Sequence, residues 1–81
     1  MFLHVTSARY VEGHRVWIEF NDGSAGEIDL SGSLSGPIFE PLQDPQYFRG
    51  FCLEGHTLAW PNGADFAPEY LHNLVKSQTF A

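Results

Sequence analysis

The groups that could do chemistry in these 81 residues are four histidines, one cysteine and ten carboxylates. A structural zinc site needs ligands at short, characteristic spacings. His4, His14, His56 and His72 show no pair three to five residues apart, and no cysteine pair accompanies them. The spacing therefore predicts no metal. Cys52 lies within a strand-like stretch between Phe51 and Leu53, and its charged neighbours Arg49 and Glu54 offset each other. A reactive thiolate needs an electropositive, partly open setting. Cys52 is thus expected to be buried or half-buried, and inert. The pairs Glu27 with Asp29 and Asp65 with Glu69 lack a visible acid–base partner. The segment Gly32-Ser33-Leu34-Ser35-Gly36 has no lysine after it to cradle phosphate, and it carries Leu34 where a nucleophile elbow needs serine. No catalytic residue, cofactor or enzymatic activity is expected.

Charge narrows the partners. Ten acids against four basic residues give a net charge of −6. Nucleic-acid binding relies on Lys and Arg neutralising phosphates, and Arg9, Arg15, Arg49 and Lys76 are scattered. Direct DNA or RNA binding is disfavoured, as is attraction to an anionic membrane. A basic protein partner fits better. A single cysteine excludes an intrachain disulfide, and the N-terminal residues lack a signal-peptide pattern, so a cytoplasmic setting is expected.

The elements that must position these groups are legible in the apolar pattern. Hydrophobic residues make up 43% of the chain, enough for one domain over residues 1–81. Val16, Ile18 and Phe20 alternate with Arg15, Trp17 and Glu19, and Ile28 and Leu30 resume the pattern after Asn21-Asp22-Gly23. That is a half-buried hairpin whose turn residues tolerate positive φ. Upstream, Leu3 and Val5 share one parity while Ala8 and Tyr10 share the other, which predicts a bulge at Thr6-Ser7. Glu12-Gly13 turns into the next strand. Between 36 and 48 three prolines forbid a long helix. Pro37 and Pro45 suit the first residue of short helical turns, with Asp44 as an N-cap. Ile38, Phe39, Leu42, Tyr47 and Phe48 would close one end of the sheet. A short hairpin turns at Gly55-His56, and a helix from Pro68 carries Tyr70, Leu71, Leu74 and Val75 on one stripe. The fold class is α+β. It comprises a small curled antiparallel sheet, a three-stranded meander plus a short hairpin, with short helical turns and a C-terminal helix packed on it.

The run Trp60-Pro61-Asn62-Gly63-Ala64-Asp65-Phe66-Ala67-Pro68-Glu69 is the most distinctive in the chain. With Phe20-Asn21-Asp22-Gly23, Ile28-Asp29-Leu30 and the patch from Phe39 to Asp44, it resembles a bacterial family known as domain of unknown function 2442. The resemblance spans nearly the whole chain. It implies small standalone proteins, or N-terminal domains fused to a helix-turn-helix, many encoded beside a small basic protein in a toxin–antitoxin-like arrangement. No second helix pair follows Leu71–Val75, so a member without the DNA-binding extension is expected.

Two roles remain for the distinctive run. Pro61-Asn62-Gly63 would end a strand in a tight turn, with Asp65 accepting backbone N–H groups or capping the helix. Alternatively, Asn62 and Asp65 would form a recognition surface with Trp60. Trp17, on the outward face beside Glu27 and Asp29, would either pack or sit in an interface. The expected function is a non-enzymatic protein–protein interaction module, the antitoxin-like partner of a small basic protein. The interaction surface would comprise Trp17, Glu27, Asp29, Trp60, Asn62 and Asp65. The alternative is a small-molecule binding or sensing domain with Trp17, Phe39, Tyr47 and Trp60 around a pocket. Self-association through an uncovered edge strand stays open.

Overall fold

The alternation on either side of Asn21-Asp22-Gly23 decides which face of the sheet is wet. In the computed structural model, which describes residues 2–77, Val5–Glu12 (β1), Arg15–Phe20 (β2) and Ala25–Asp29 (β3) form an antiparallel meander in the order β1-β2-β3. Val16, Ile18, Phe20 and Ile28 are buried, whereas Arg15, Trp17, Glu19 and Glu27 occupy the other parity and are half-exposed. Val16 pairs with Ile28 and Trp17 with Glu27, so apolar meets apolar across the strands. The bulge is present. Val5 pairs with Phe20 but Ser7 with Glu19, leaving Thr6 as the extra residue. Past it the inward set becomes Ala8 and Tyr10, both packed on the core.

The β2–β3 turn is closed by its own side chains. Asp22 accepts from the Ser24 backbone N–H at 3.0 Å and from the Ser24 hydroxyl at 2.6 Å. Gly23 supplies the positive φ of 89°.

Two 3-10 helices, Ser31–Ser33 and Glu40–Gln43, precede the short helix Pro45–Phe48 (α1). Pro45 opens α1 as expected, with the Asp44 carboxylate accepting from the Gln46 N–H at 3.0 Å. Pro37 does not open a helical element. It lies in a turn, and Pro41 instead enters the first turn of the second 3-10 helix. Leu42 and Phe48 are fully buried and Phe39 and Tyr47 pack on the core, but Ile38 stays 47% exposed, outside the lid.

Cys52–Glu54 (β4) and Thr57–Ala59 (β5) make a separate two-stranded sheet, with Leu53 opposite Leu58. Every β4 residue is exposed and every β5 residue is buried. Cys52 is therefore exposed, contrary to expectation, because β5 takes all the core positions of this hairpin. The Val5 N–H donates to the His56 carbonyl at 2.9 Å, tying β1 to the turn.

The helix Pro68–Ser77 (α2) buries Leu71 and packs Leu74 and Val75 on the core. A Cβ on Gly26 would stand 3.1 Å from Val75 Cγ1, so the bare backbone at this point of β3 lets the helix lie close. Tyr70 is 42% exposed at the edge of the expected stripe, where its ring stacks on Phe66. No described helix is long and apolar enough to cross a membrane.

Candidate functional site

The six residues marked out by sequence fall in two places. Trp17, Glu27 and Asp29 lie on the outer face of the meander. There the Arg9 guanidinium sits 4.6 Å above the Trp17 ring, and Arg15 pairs with Glu12 and, at 3.4 Å, with Glu27. Trp17 is half-buried by this local packing. Asp29 accepts the Ser31 N–H at 2.9 Å, and that bond is the main cause of its lowered pKa. On this face Arg15 is held by two carboxylates and Arg9 by the Trp17 ring, while Glu19 has no ion pair among the described residues.

Trp60, Asn62 and Asp65 lie on the inner side, in the loop leaving β5. Trp60 is only 3% exposed, so it is not a surface residue. Its ring packs among Phe48, Phe51 and Phe66, and its indole N–H donates to the Phe48 carbonyl at 2.8 Å. The buried N–H finds its partner in the lid, which the sequence pattern could not show. Asn62 performs the structural work expected of Asp65. Its Oδ1 accepts from the Ala64 N–H at 3.0 Å, and its Nδ2 donates to the Ile38 carbonyl at 2.8 Å. Gly63, at φ 91°, completes the turn. The exposed Asp65 carboxylate accepts no hydrogen bond among the described residues, and it caps nothing.

An open cleft lies at this loop and another over the segment 37–47. One, of about 360 Å³, is lined by Cys52, Glu54, Trp60, Pro61 and Asp65. The other, of about 440 Å³, is lined by Pro37, Glu40, Pro41, Asp44 and Tyr47. The Asn62–Ile38 hydrogen bond and the stacking of Phe39 on Phe66, 5.0 Å apart, join the segments that wall them. Among the described residues, Glu40, Asp44, Glu54, Asp65 and Glu69 make no ion pair. Sequence reasoning missed Glu40, Asp44 and Glu54 as site residues. The available signal was that Arg49 is the one Lys or Arg between Arg15 and Lys76.

The aromatics of the alternative ligand-binding role are not brought around one cavity. Tyr47 lines one cleft and Trp60 the other, Phe39 is stacked on Phe66, and Trp17 is on the opposite face of the sheet. Among the described residues no group of three or more His, Cys, Asp or Glu side chains could hold a metal ion. The fold does join distant histidines to other groups. His72 Nε2 lies 3.0 Å from Asp22 Oδ2, and the His4 and His56 rings stand 5.0 Å apart.

This architecture defines a small α+β domain with its aromatic core on one side of the meander. The family model described as protein of unknown function (DUF2442) matches residues 5–77, and the chain belongs to that family. Among solved structures, it is similar to the crystal structure of a candidate DNA-binding protein from Nitrosomonas europaea. The TM-score is 0.81 at 21% identity, over 95% of this chain and 51% of that one. The likeness is one of fold, and this chain spans about half the length of that protein. No curated protein matches the chain.

Proposed function

We propose that this domain is a protein–protein interaction module that engages a basic partner through the carboxylates in and beside the two clefts described above. The observation that carries this reading is the asymmetry of charge pairing. Arg15 is held by Glu12 and Glu27, and Arg9 and Arg49 lie over the rings of Trp17 and Tyr10. Glu40, Asp44, Glu54, Asp65 and Glu69 have no cation beside them among the described residues. Unanswered like charges on adjoining segments create a field that attracts and orients an oppositely charged surface. The antitoxin-like role of masking a small basic protein belongs to this reading. The same distribution weighs against docking on phosphate, since the arginines are already engaged.

The test is capture of partners by the tagged chain from lysate of its own organism, at low and high salt. A stoichiometric basic protein should be retained at low salt and released at high salt. It should be lost when Glu40, Asp44, Glu54 and Asp65 are replaced by their amides. An unchanged yield with the amide variant sinks the reading, as does tight binding to duplex DNA with a steep salt dependence.

A further inference from the structure

His4 and His56 are far apart in sequence, yet their ring centroids are 5.0 Å apart at a tilt of 47°. Both are placed by backbone bonds. The His4 N–H donates to Asn21 Oδ1 at 3.0 Å, and the Asn21 N–H donates back to the His4 carbonyl at 3.0 Å. The His56 carbonyl accepts from Val5, the residue next to His4, at 2.9 Å.

The two rings carry different marks of a ligand. His4 Nδ1 lies 3.3 Å from the Phe2 carbonyl. A carbonyl can only accept, so the bond places the proton on Nδ1 and leaves the Nε2 lone pair available. Metal-ligating imidazoles are oriented and made more basic by this kind of bond. His56 has a φ of 69°, the only positive φ of a non-glycine residue among those described. It follows Gly55, φ 61°, in a two-residue hairpin loop where Asn or Gly is the favoured choice. Its ring makes no hydrogen bond among the described residues. A strained backbone carrying an unbonded imidazole beside another imidazole points to a use for the pair.

The separation suits a shared ion. With metal–nitrogen bonds of about 2.0–2.1 Å, a tetrahedral ion sits about 3.2 Å from each ring centre, and the two centres stand about 5.2 Å apart. We propose that His4 and His56 form a two-imidazole site for a borderline-soft divalent ion, Zn²⁺ or Cu²⁺. Water fills the remaining positions, because no third His, Cys, Asp or Glu side chain joins them among the described residues. The ion would clasp the start of β1 to the β4–β5 turn.

The experiment uses the purified full chain at pH 7.5. Cu²⁺ binding is followed by electron paramagnetic resonance, and Zn²⁺ binding by thermal melting. The expected results are a Cu²⁺ spectrum split by two nitrogens and a melting temperature that rises with Zn²⁺ concentration. His56→Asn keeps the turn geometry and His4→Gln keeps the strand backbone, with circular dichroism as the check on folding. Each should weaken binding by more than about tenfold and abolish the zinc-dependent rise. Equal Cu²⁺ affinity in both folded variants, or a one-nitrogen spectrum in the unaltered chain, overturns the site.

Discussion

The two hairpins of this domain are built on opposite plans. In β2–β3 each strand divides its side chains between core and solvent, and the turn is locked from within by Asp22 and Ser24. In β4–β5 the division runs between the strands: β5 is wholly buried and β4 wholly exposed. A three-residue pair is too short to be stable alone. It depends on its surroundings, through the Val5–His56 backbone bond and the hydroxyl of buried Thr57, which donates to the Phe66 carbonyl at 2.6 Å. One hairpin is specified locally, and the other is specified by what encloses it.

Leu53 and Leu58, which face each other across β4 and β5, give the sharpest contrast. Leu58→Ala should cost about 2–5 kcal/mol in urea unfolding, since it empties a fully enclosed site. Leu53→Ala, at 43% exposure, should cost less than about 1 kcal/mol. Similar losses at both positions would mean that β4 is not the outer strand. The loop after β5 offers a second, smaller difference. Asn62→Ala removes bonds to both Ala64 and Ile38 and should cost about 1–2 kcal/mol. Asp65→Ala should stay within about 0.5 kcal/mol and act only on partner binding.

The smallest effect belongs to the β2–β3 turn and emerges only in acid. The Ser24 hydroxyl and N–H, with a lesser contribution from His72, lower the pKa of Asp22 from 3.8 to about 2. The folded chain thus keeps this carboxylate charged where the unfolded chain takes up a proton. The stability it lends is present above about pH 4 and is lost as pH falls towards about 2. Asp22→Asn retains an oxygen for the Ser24 bonds but does not titrate, so its melting temperature should fall less between those pH values. An unaltered acid profile would show that this carboxylate contributes nothing to the turn.

The same contrast explains what could be foreseen. The β2–β3 hairpin, the Thr6 bulge, the Asp44 cap with Pro45, and a helix beginning at Pro68 were all legible, because each is decided by residues a few positions apart. The burial of Trp60 was not, since the carbonyl that receives its N–H comes from Phe48 in another element. Parity misplaced Cys52 because an exposed strand obeys no alternation. At the site, Asn62 and Asp65 both offer an acceptor oxygen, but the Ala64 N–H goes to Asn62, whose Nδ2 also donates to the Ile38 carbonyl of a distant segment. The approach of His4 to His56 left no trace in local spacing, for it follows from the way β1 meets the last hairpin.

That late meeting bears on synthesis. The meander can pair as soon as residue 30 clears the ribosome, but its inner face is closed by Leu58, Trp60, Phe66 and Leu71. Until those residues emerge, Val16, Ile18, Phe20 and Ile28 lack their cover. In that interval the nascent chain presents a paired but open apolar sheet, the kind of surface on which chaperones act.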